Sequence, residues 1–445
     1  MSAKDLATRA LRTLTSAQAP PTLKGMVSAV RGGRLYGWAA DGADLETRLS
    51  LDVYVDACLV RKCVADRWSQ DAERALGDGH HGFEVELPVR LLDGGIHYLT
   101  VARSGVKATL PDAPDWSEHN VSLPDGTRFE RMRWGTEAPQ LPGPCLIEGR
   151  DGWAFLCNDA NGSLDQLLGD LVFTDSDVSL YRDILLRRQE RLGELGIPYL
   201  FAFAPSKETI HVEALPDTIP APLHPRLAGQ LQAALRDSPV RIVDLRTALR
   251  SAAQAGQEVY YKRDCHWNWE GGLIASRCLL EAAKRTGVHG AHLDEPRIAW
   301  MSSSYRGDLV GKPRTRFLDG RLLNASEETE PDVLEPDRRP NLDAMGVRAV
   351  ATPAHLEVSK TRPSVVLVND ERQDAPRAIV YRDSFGEHVR PFLAAAFSWS
   401  AWLWRPSIDI PLIERERPDI VIQIVAERFL AHVPTEDVLD APIPA

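Results

Sequence analysis

The stretch RAIVYRDSFGEHVRPFLAAAF, from Arg377 to Phe397, changes character twice. Ala378–Tyr381 is a short, continuous apolar run, the pattern of a strand buried on both faces. Asp383, Ser384, Phe385 and Gly386 follow as a turn, and a helix is expected from about Glu387. Strand, turn and helix in that order make one half of a βα unit. A serine in such a turn sits exposed at the sheet edge, where the helix N-terminus and the turn amides can stabilise an oxyanion. The logic is that of a nucleophile elbow, although the G-x-S-x-G pattern is absent.

Working outward, the same alternation recurs from about Cys145. LYRDILLRRQERLGELG (Leu180–Gly196) has helical spacing and a glycine stop, and IPYLFAFAPSKE (Ile197–Glu208) follows as a buried strand and loop. PRLAGQLQAALRDS and WEGGLIASRCLLEAAKRTG read as helices. VRIVDL, PSVVLVND and RPDIVIQIV are apolar runs of strand length. This pattern predicts a mostly parallel sheet with helices on both faces. Active residues in such sheets lie on loops at the carboxyl ends of the strands.

A serine nucleophile needs a base, and the base needs a group to orient it. YYKRDCHWNWEGG (Tyr260–Gly272) supplies both, because Asp264 and His266 are two apart at the end of the extended segment EVYYKRD. At that spacing both side chains can point to one side. His266 can then take the Ser384 proton while Asp264 holds the other imidazole nitrogen. A plainer reading makes His266 a satisfied buried histidine and Ser384 a helix cap. No second cluster offers further ligands at a recognisable spacing, so no metal site is expected at Asp264-Cys265-His266.

Residues 22–111 have a different texture. RLYGWAAD, LSLDVYVDACLVRKCVAD, HGFEVELPV and IHYLTVARSG alternate apolar and polar residues between Gly- and Asp-containing turns, which predicts a small antiparallel β-sandwich. Residues 112–144 are polar and rich in proline, as a linker is. Residues 1–21 are expected to be a short amphipathic helix or a disordered tail. They contain no continuous apolar core, so a cytoplasmic chain is expected. The catalytic-type domain then runs over 145–445. The 445 residues carry 63 acidic and 52 basic side chains, a net charge of −11, which argues against nucleic acid as a partner. No apolar stretch is long enough to cross a membrane. Six cysteines without a CxxC pair are neither a disulfide scaffold nor a zinc site, and reduced buried thiols are expected.

Several segments together carry a family likeness. RDCHWNWEGG resembles the D-x-H-W…G segment of the alginate O-acetyltransferase family, a polysaccharide O-acetyltransferase branch with an SGNH-hydrolase-like fold. EGRDGWAFL (Glu148–Leu156) is similar to that family's opening strand, APSKETIH to its P-x-K-E loop and YRGDLVG to its G-D-L segment. YRDSFG resembles its nucleophile turn, and RPFLAAAFSWSAWLW and RPDIVIQIVAERFL resemble its closing helix and strand. The likeness covers about residues 145–435. It implies Ser384 as nucleophile, His266 as general base and Asp264 as its partner. It also implies acetyl transfer onto a carbohydrate, by way of a serine ester. No cofactor is implied beyond an acetyl donor, either acetyl-CoA or an acylated partner protein. Polysaccharide-assembly proteins become expected partners, and the family's setting suggests the periplasm. A carbohydrate O-acetyl esterase would use the same triad, and a glycan-binding or assembly protein would keep only the fold.

Five further residues are candidates for substrate contact. Lys207 lies in the PSKE loop, and Arg382 flanks the serine, where it could meet a sugar carboxylate. Trp267 could stack on a sugar ring, and Tyr305 and Arg306 lie in the G-D-L segment. Each has a plain counterpart: a solvated lysine, a surface ion pair, a core aromatic or a turn. The sandwich is a candidate glycan-binding or docking module.

Overall fold

A computed structural model describes residues 23–131 and 144–431, except residues 32, 56–57, 89–90, 92–95, 105–120, 123–127, 158, 160, 170, 174, 220–225, 295–297, 319–320, 323–328, 333 and 359–361. The expected N-terminal tail, 1–21, and most of the expected linker lie outside the described residues. The chain divides into two compact units, Met1–Leu141 and Pro142–Ala445.

In the first unit β1 (Leu23–Arg31), β2 (Arg34–Asp41), β3 (Asp44–Arg48) and β6 (Gly82–Glu86) form one antiparallel sheet around β2. β4 (Ser50–Val55), β5 (Cys58–Val64), β7 (Ile96–Arg103), β8 (Val121–Ser122) and β9 (Arg128–Arg131) form the second, in the order β5-β4-β7-β9-β8. Alternate residues of both sheets, among them Val27, Leu35, Leu51, Val53, Phe83, Val85, Leu99 and Val101, share one buried cluster. Packing of two sheets on one core is the sandwich that the alternating pattern predicts. Two features depart from the expectation. A short helix, α1 (Gln70–Leu76), capped by the Ser69 side chain, follows β5. The segment read as linker carries β8 and β9, and β9 runs parallel to β7. Its single apolar residue, Phe129, is fully buried in the core. One aromatic anchor among charged residues leaves no period to read.

The second unit opens with a hairpin, β10 (Cys145–Glu148) and β11 (Ala154–Cys157). Then come α2 (Ser163–Leu168), α3 (Asp175–Glu194), β12 (Tyr199–Ala204), α4 (Lys207–Ile210), α5 (Leu227–Leu235), β13 (Ile242–Asp244), α6 (Arg246–Gln254) and α7 (Trp269–Arg285). Peripheral ribbons follow: β14 (Trp300–Tyr305), β15 (Arg314–Thr315), β16 (Phe317–Leu318), β17 (Arg321–Leu322) and β18 (Glu335–Pro340). β19 (Val347–Val350), β20 (Val365–Asn369), β21 (Arg377–Arg382), α8 (Gly386–Ala396), β22 (Trp399–Trp404), α9 (Ile410–Glu416) and β23 (Ile420–Ala426) complete the unit.

The central sheet has seven strands in the order β13-β12-β23-β21-β22-β20-β19. The first five run parallel, and β20 and β19 are antiparallel additions at one edge. Strand alternation sorts the side chains between two faces. Leu200, Ala202, Ala204, Ile420, Ile422 and Ile424 share a buried cluster with Leu279 of α7 and Phe392 of α8. Gln423 turns the other way, where its Oε1 accepts from Arg188 of α3 at 2.7 Å and from the Tyr199 hydroxyl at 2.5 Å. The fold of this unit is thus α/β, built on a mostly parallel sheet. The carboxyl ends of β12, β21 and β23 lie at one edge of that sheet. No described helix is long and apolar enough to cross a membrane.

Candidate active site

β21 delivers the turn that holds Ser384. Asp383, directly before it, accepts from the amide of Phe385 at 2.9 Å and from that of Ala426, at the end of β23, at 2.5 Å. One part-buried carboxyl therefore ties the turn after β21 to the end of β23. Burial raises its pKa. The amide of Gly386 donates to the Asp383 carbonyl and that of Glu387 to the Ser384 carbonyl, which starts α8. The amides of Phe385, Gly386 and Glu387 are all engaged inside the turn. The sequence suggested an oxyanion site made by turn amides, and these three are already committed to the turn itself.

The facing segment is a tight excursion. Tyr260 bridges Trp267 in antiparallel fashion, and the Tyr261 amide donates to the His266 carbonyl at 3.3 Å. Asp264, Cys265 and His266 stand at its tip. The Asn268 side chain then accepts from the Gly271 amide at 3.0 Å and caps α7. The tip meets the serine turn with His266 Nε2 2.7 Å from Ser384 Oγ. On the other side of the ring His266 Nδ1 is 2.6 Å from Asp264 Oδ1.

Asp264 is 1% exposed, and its second oxygen is also engaged. Oδ1 accepts from the His266 amide at 2.7 Å, and Oδ2 accepts from the Tyr305 hydroxyl and the Asp308 amide, both at 2.7 Å. Burial alone would raise this carboxyl. Hydrogen bonds from His266 and Tyr305, with the His266 charge, outweigh burial and hold it at about 2. Burial and the neighbouring Asp264 charge push the Tyr305 phenol well up, so it stays a donor. Tyr305 also stacks on Tyr261, with ring centroids 3.9 Å apart. Asp308 Oδ1 accepts from the Cys265 amide at 2.8 Å, and Oδ2 lies 3.8 Å from His266 Nδ1. Gly307 makes this approach possible, because a Cβ there would run into the Arg263 carbonyl.

Asp264, His266 and Asp308 offer ligand atoms within 4.8 Å of one another. A carboxylate has about four acceptor sites, and those of Asp264 already meet two amides, a phenol and an imidazole. A cation here would have to displace the bonds that define the geometry.

Each expected substrate contact has a place. Lys207 is not a loop lysine. It is 2% exposed, and Nζ donates to the carbonyls of Lys262 (2.9 Å), Asp264 (2.7 Å) and Tyr261 (3.3 Å). The Phe155 and Trp153 rings lie 5.3 and 5.7 Å from it, and burial lowers its pKa. Trp267 is 0% exposed and cannot stack on a sugar; its Nε1 donates to the Phe385 carbonyl at 3.0 Å and ties the two site loops together. Arg382 is 4% exposed, paired with Glu387 at 2.6 Å and laid over the Trp404 ring, so it does not reach out for a sugar carboxylate. The Tyr305 hydroxyl is engaged by Asp264. Arg306 is exposed and pairs with exposed Asp332 at 2.8 Å. Of the five, Lys207, Trp267 and Tyr305 bond to the segments that carry Asp264, His266 and Ser384.

Tyr261 and His388 escaped the sequence reading, whereas Asp308 reads there as a pocket contact or a turn residue and Trp269 as a weaker candidate for sugar stacking. Tyr261 OH and Trp269 Nε1 both donate to Asp337 Oδ2, at 3.0 and 3.1 Å. His388 packs against the Trp269 ring at 4.4 Å, with the His266 ring 6.5 Å away. Burial, then the His266 charge, lower His388 to about 3, so it is neutral near pH 7. The only local signal was the position of His388 one turn after the serine.

Comparison with known proteins bears on the second unit. Residues 146–343 match the family model described as SGNH hydrolase-like domain, acetyltransferase AlgX. The likeness to the alginate O-acetyltransferase-like family therefore holds over that span. A probable alginate O-acetylase AlgJ from Pseudomonas fluorescens is 24% identical over 167 residues, 37% of this chain. The match spans 40% of that protein's length. Among solved structures, Bacillus cereus PatB1 is similar at a TM-score of 0.46 and 16% identity, over 64% of this chain and 97% of that one. The O-acetyltransferase domain of Pseudomonas putida AlgJ is similar at 0.39 and 21%, over 65% and 92%.

Proposed function

We propose that the chain is a serine-dependent O-acetyltransferase acting on a hydroxyl of a bacterial polysaccharide or its precursor. The observation that carries this reading is the unbroken chain Ser384 Oγ, His266 and Asp264, at 2.7 and 2.6 Å, at the carboxyl edge of a parallel sheet. The acetyltransferase description of the family match over 146–343 supports the acyl group, and the probable alginate O-acetylase relative supports the carbohydrate class.

In this mechanism His266 Nε2 takes the Ser384 proton as Oγ attacks the donor's acetyl carbonyl. The imidazolium then protonates the leaving group, a thiol or hydroxyl of the donor, and the acetyl stays on Ser384 as an ester. A sugar hydroxyl gives its proton to the same nitrogen and attacks the ester. Its oxygen keeps the acetyl group, and Ser384 recovers its proton from His266. Asp264 holds the ring and stabilises the imidazolium. Tyr305, Asp308 and Lys207 hold Asp264 and its loop. Donor identity and compartment belong together: acetyl-CoA would place the step in the cytoplasm, an acylated partner outside it. A glycan-binding or docking role for the first unit belongs to the same proposal.

The test follows an activated acetyl ester with and without oligosaccharide acceptors. The proposal expects acetylated sugar at the expense of free acetate, and loss of both on Ser384→Ala by at least about 10⁴-fold. Acetate release that no sugar diverts would make the chain an esterase. A Ser384→Ala protein that retains its rate would remove acyl chemistry from the site.

A further inference from the structure

The mechanism leaves one pair of reactive groups unused. Cys145 and Cys157 are direct partners across the β10–β11 hairpin, both buried, with their sulfurs 3.3 Å apart. The Gly149 amide donates to the Trp153 carbonyl at 2.7 Å, which makes that rung a bonded one. Bonded rungs recur at every second residue, through Ile147/Phe155 to Cys145/Cys157. Their Cα atoms are then about 5.5 Å apart, inside the roughly 4.4–6.8 Å that a disulfide spans. The contact between the sulfurs also lowers the Cys145 thiol, which favours the attacking thiolate.

The hairpin braces the candidate site. The Ala154 amide donates to the Lys262 carbonyl at 3.0 Å. Trp153 and Phe155 lie against the Lys207 ammonium that holds the Asp264 loop. We propose that Cys145 and Cys157 are an oxidisable pair that closes into a cross-strand disulfide and clamps the hairpin behind the Asp264–His266 loop. The co-reactant is a low-molecular-weight or protein disulfide. One cysteine thiolate attacks it, forming a mixed disulfide and releasing one thiol. The second cysteine displaces the other half. Two cysteine thiols are oxidised, one external disulfide is reduced, and two external thiols leave with the protons. In a reducing cytoplasm the pair remains dithiol, and in an oxidising compartment it closes. This inference does not depend on the proposed transferase activity.

The full chain is refolded in a glutathione redox buffer, and folded protein is incubated in parallel with oxidised glutathione. Both samples are alkylated and mapped by mass spectrometry without reduction. The expected result is a cross-linked peptide joining Cys145 to Cys157, lighter by about 2 Da than the two thiol peptides, two hydrogens having left. The cross-linked chain should melt a few degrees above its dithiothreitol-treated form. Cys145→Ser and Cys157→Ser should each abolish that difference. Alkylated or singly glutathionylated cysteines in both samples would overturn the pairing. A cross-link with no change in melting temperature would overturn the clamp.

Discussion

Tyr305 carries a role that residue type alone does not announce. Its hydroxyl supplies one of the hydrogen bonds that hold Asp264 ionised beside His266. Tyr305→Phe keeps the stack on Tyr261 and removes only that bond. We expect kcat to fall about 10- to 100-fold, in line with about 1.5–3 kcal/mol for a hydrogen bond to a charged group, with KM for the acetyl ester nearly unchanged. Steady-state kinetics on the purified variant check this, and a pure KM effect would return Tyr305 to substrate contact. Asp264, His266 and Ser384 were legible because their chemistry is tied to position: an i,i+2 pair at the end of an extended segment, and a serine after a buried strand. Lys207 and Trp267 were not. A lysine in a loop reads as solvated, a tryptophan beside a histidine reads equally as a core aromatic or a stacking face, and only the fold shows the three carbonyls that converge on Nζ.

Lys207 also links elements. It starts α4 at the end of β12, yet its ammonium holds the 261–264 excursion, and the β10–β11 hairpin covers it. Lys207→Met keeps the length and removes the donor, leaving buried carbonyls without a partner. The expected cost is about 2–4 kcal/mol of stability, read by urea unfolding, with a lower kcat in the folded fraction. A variant as stable and active as wild type would make the lysine dispensable. The parallel strands were legible as elements because β12, β21 and β23 are near-continuous apolar runs. Their order was not, since β23 inserts between β12 and β21 and no local period encodes sheet order. β9 was missed because one buried phenylalanine holds it.

At the scale of the whole molecule, buried histidine sets an acid limit. His388 titrates near 3 when folded, against an ordinary 6.5. Between those values the unfolded chain binds a proton that the folded chain refuses. Stability therefore falls as pH drops below about 6.5, by about 1.4 kcal/mol per unit for this one group. Asp264 has the same sign in a lower window: its contribution is full above 3.8 and is lost as pH falls toward 2. Melting temperature measured from pH 7 to pH 4 should decline steeply in wild type and less steeply in His388→Phe. Parallel slopes would contradict the assignment.

The most direct test of the central claim is intact mass after brief exposure to an activated acetyl ester, wild type beside Ser384→Ala, with the modified peptide sequenced. The account predicts an adduct of about 42 Da, one acetyl group held as an ester, on Ser384 of the wild type alone. The adduct should disappear when a sugar acceptor is added. An adduct on another residue, or equal labelling of both proteins, would contradict it.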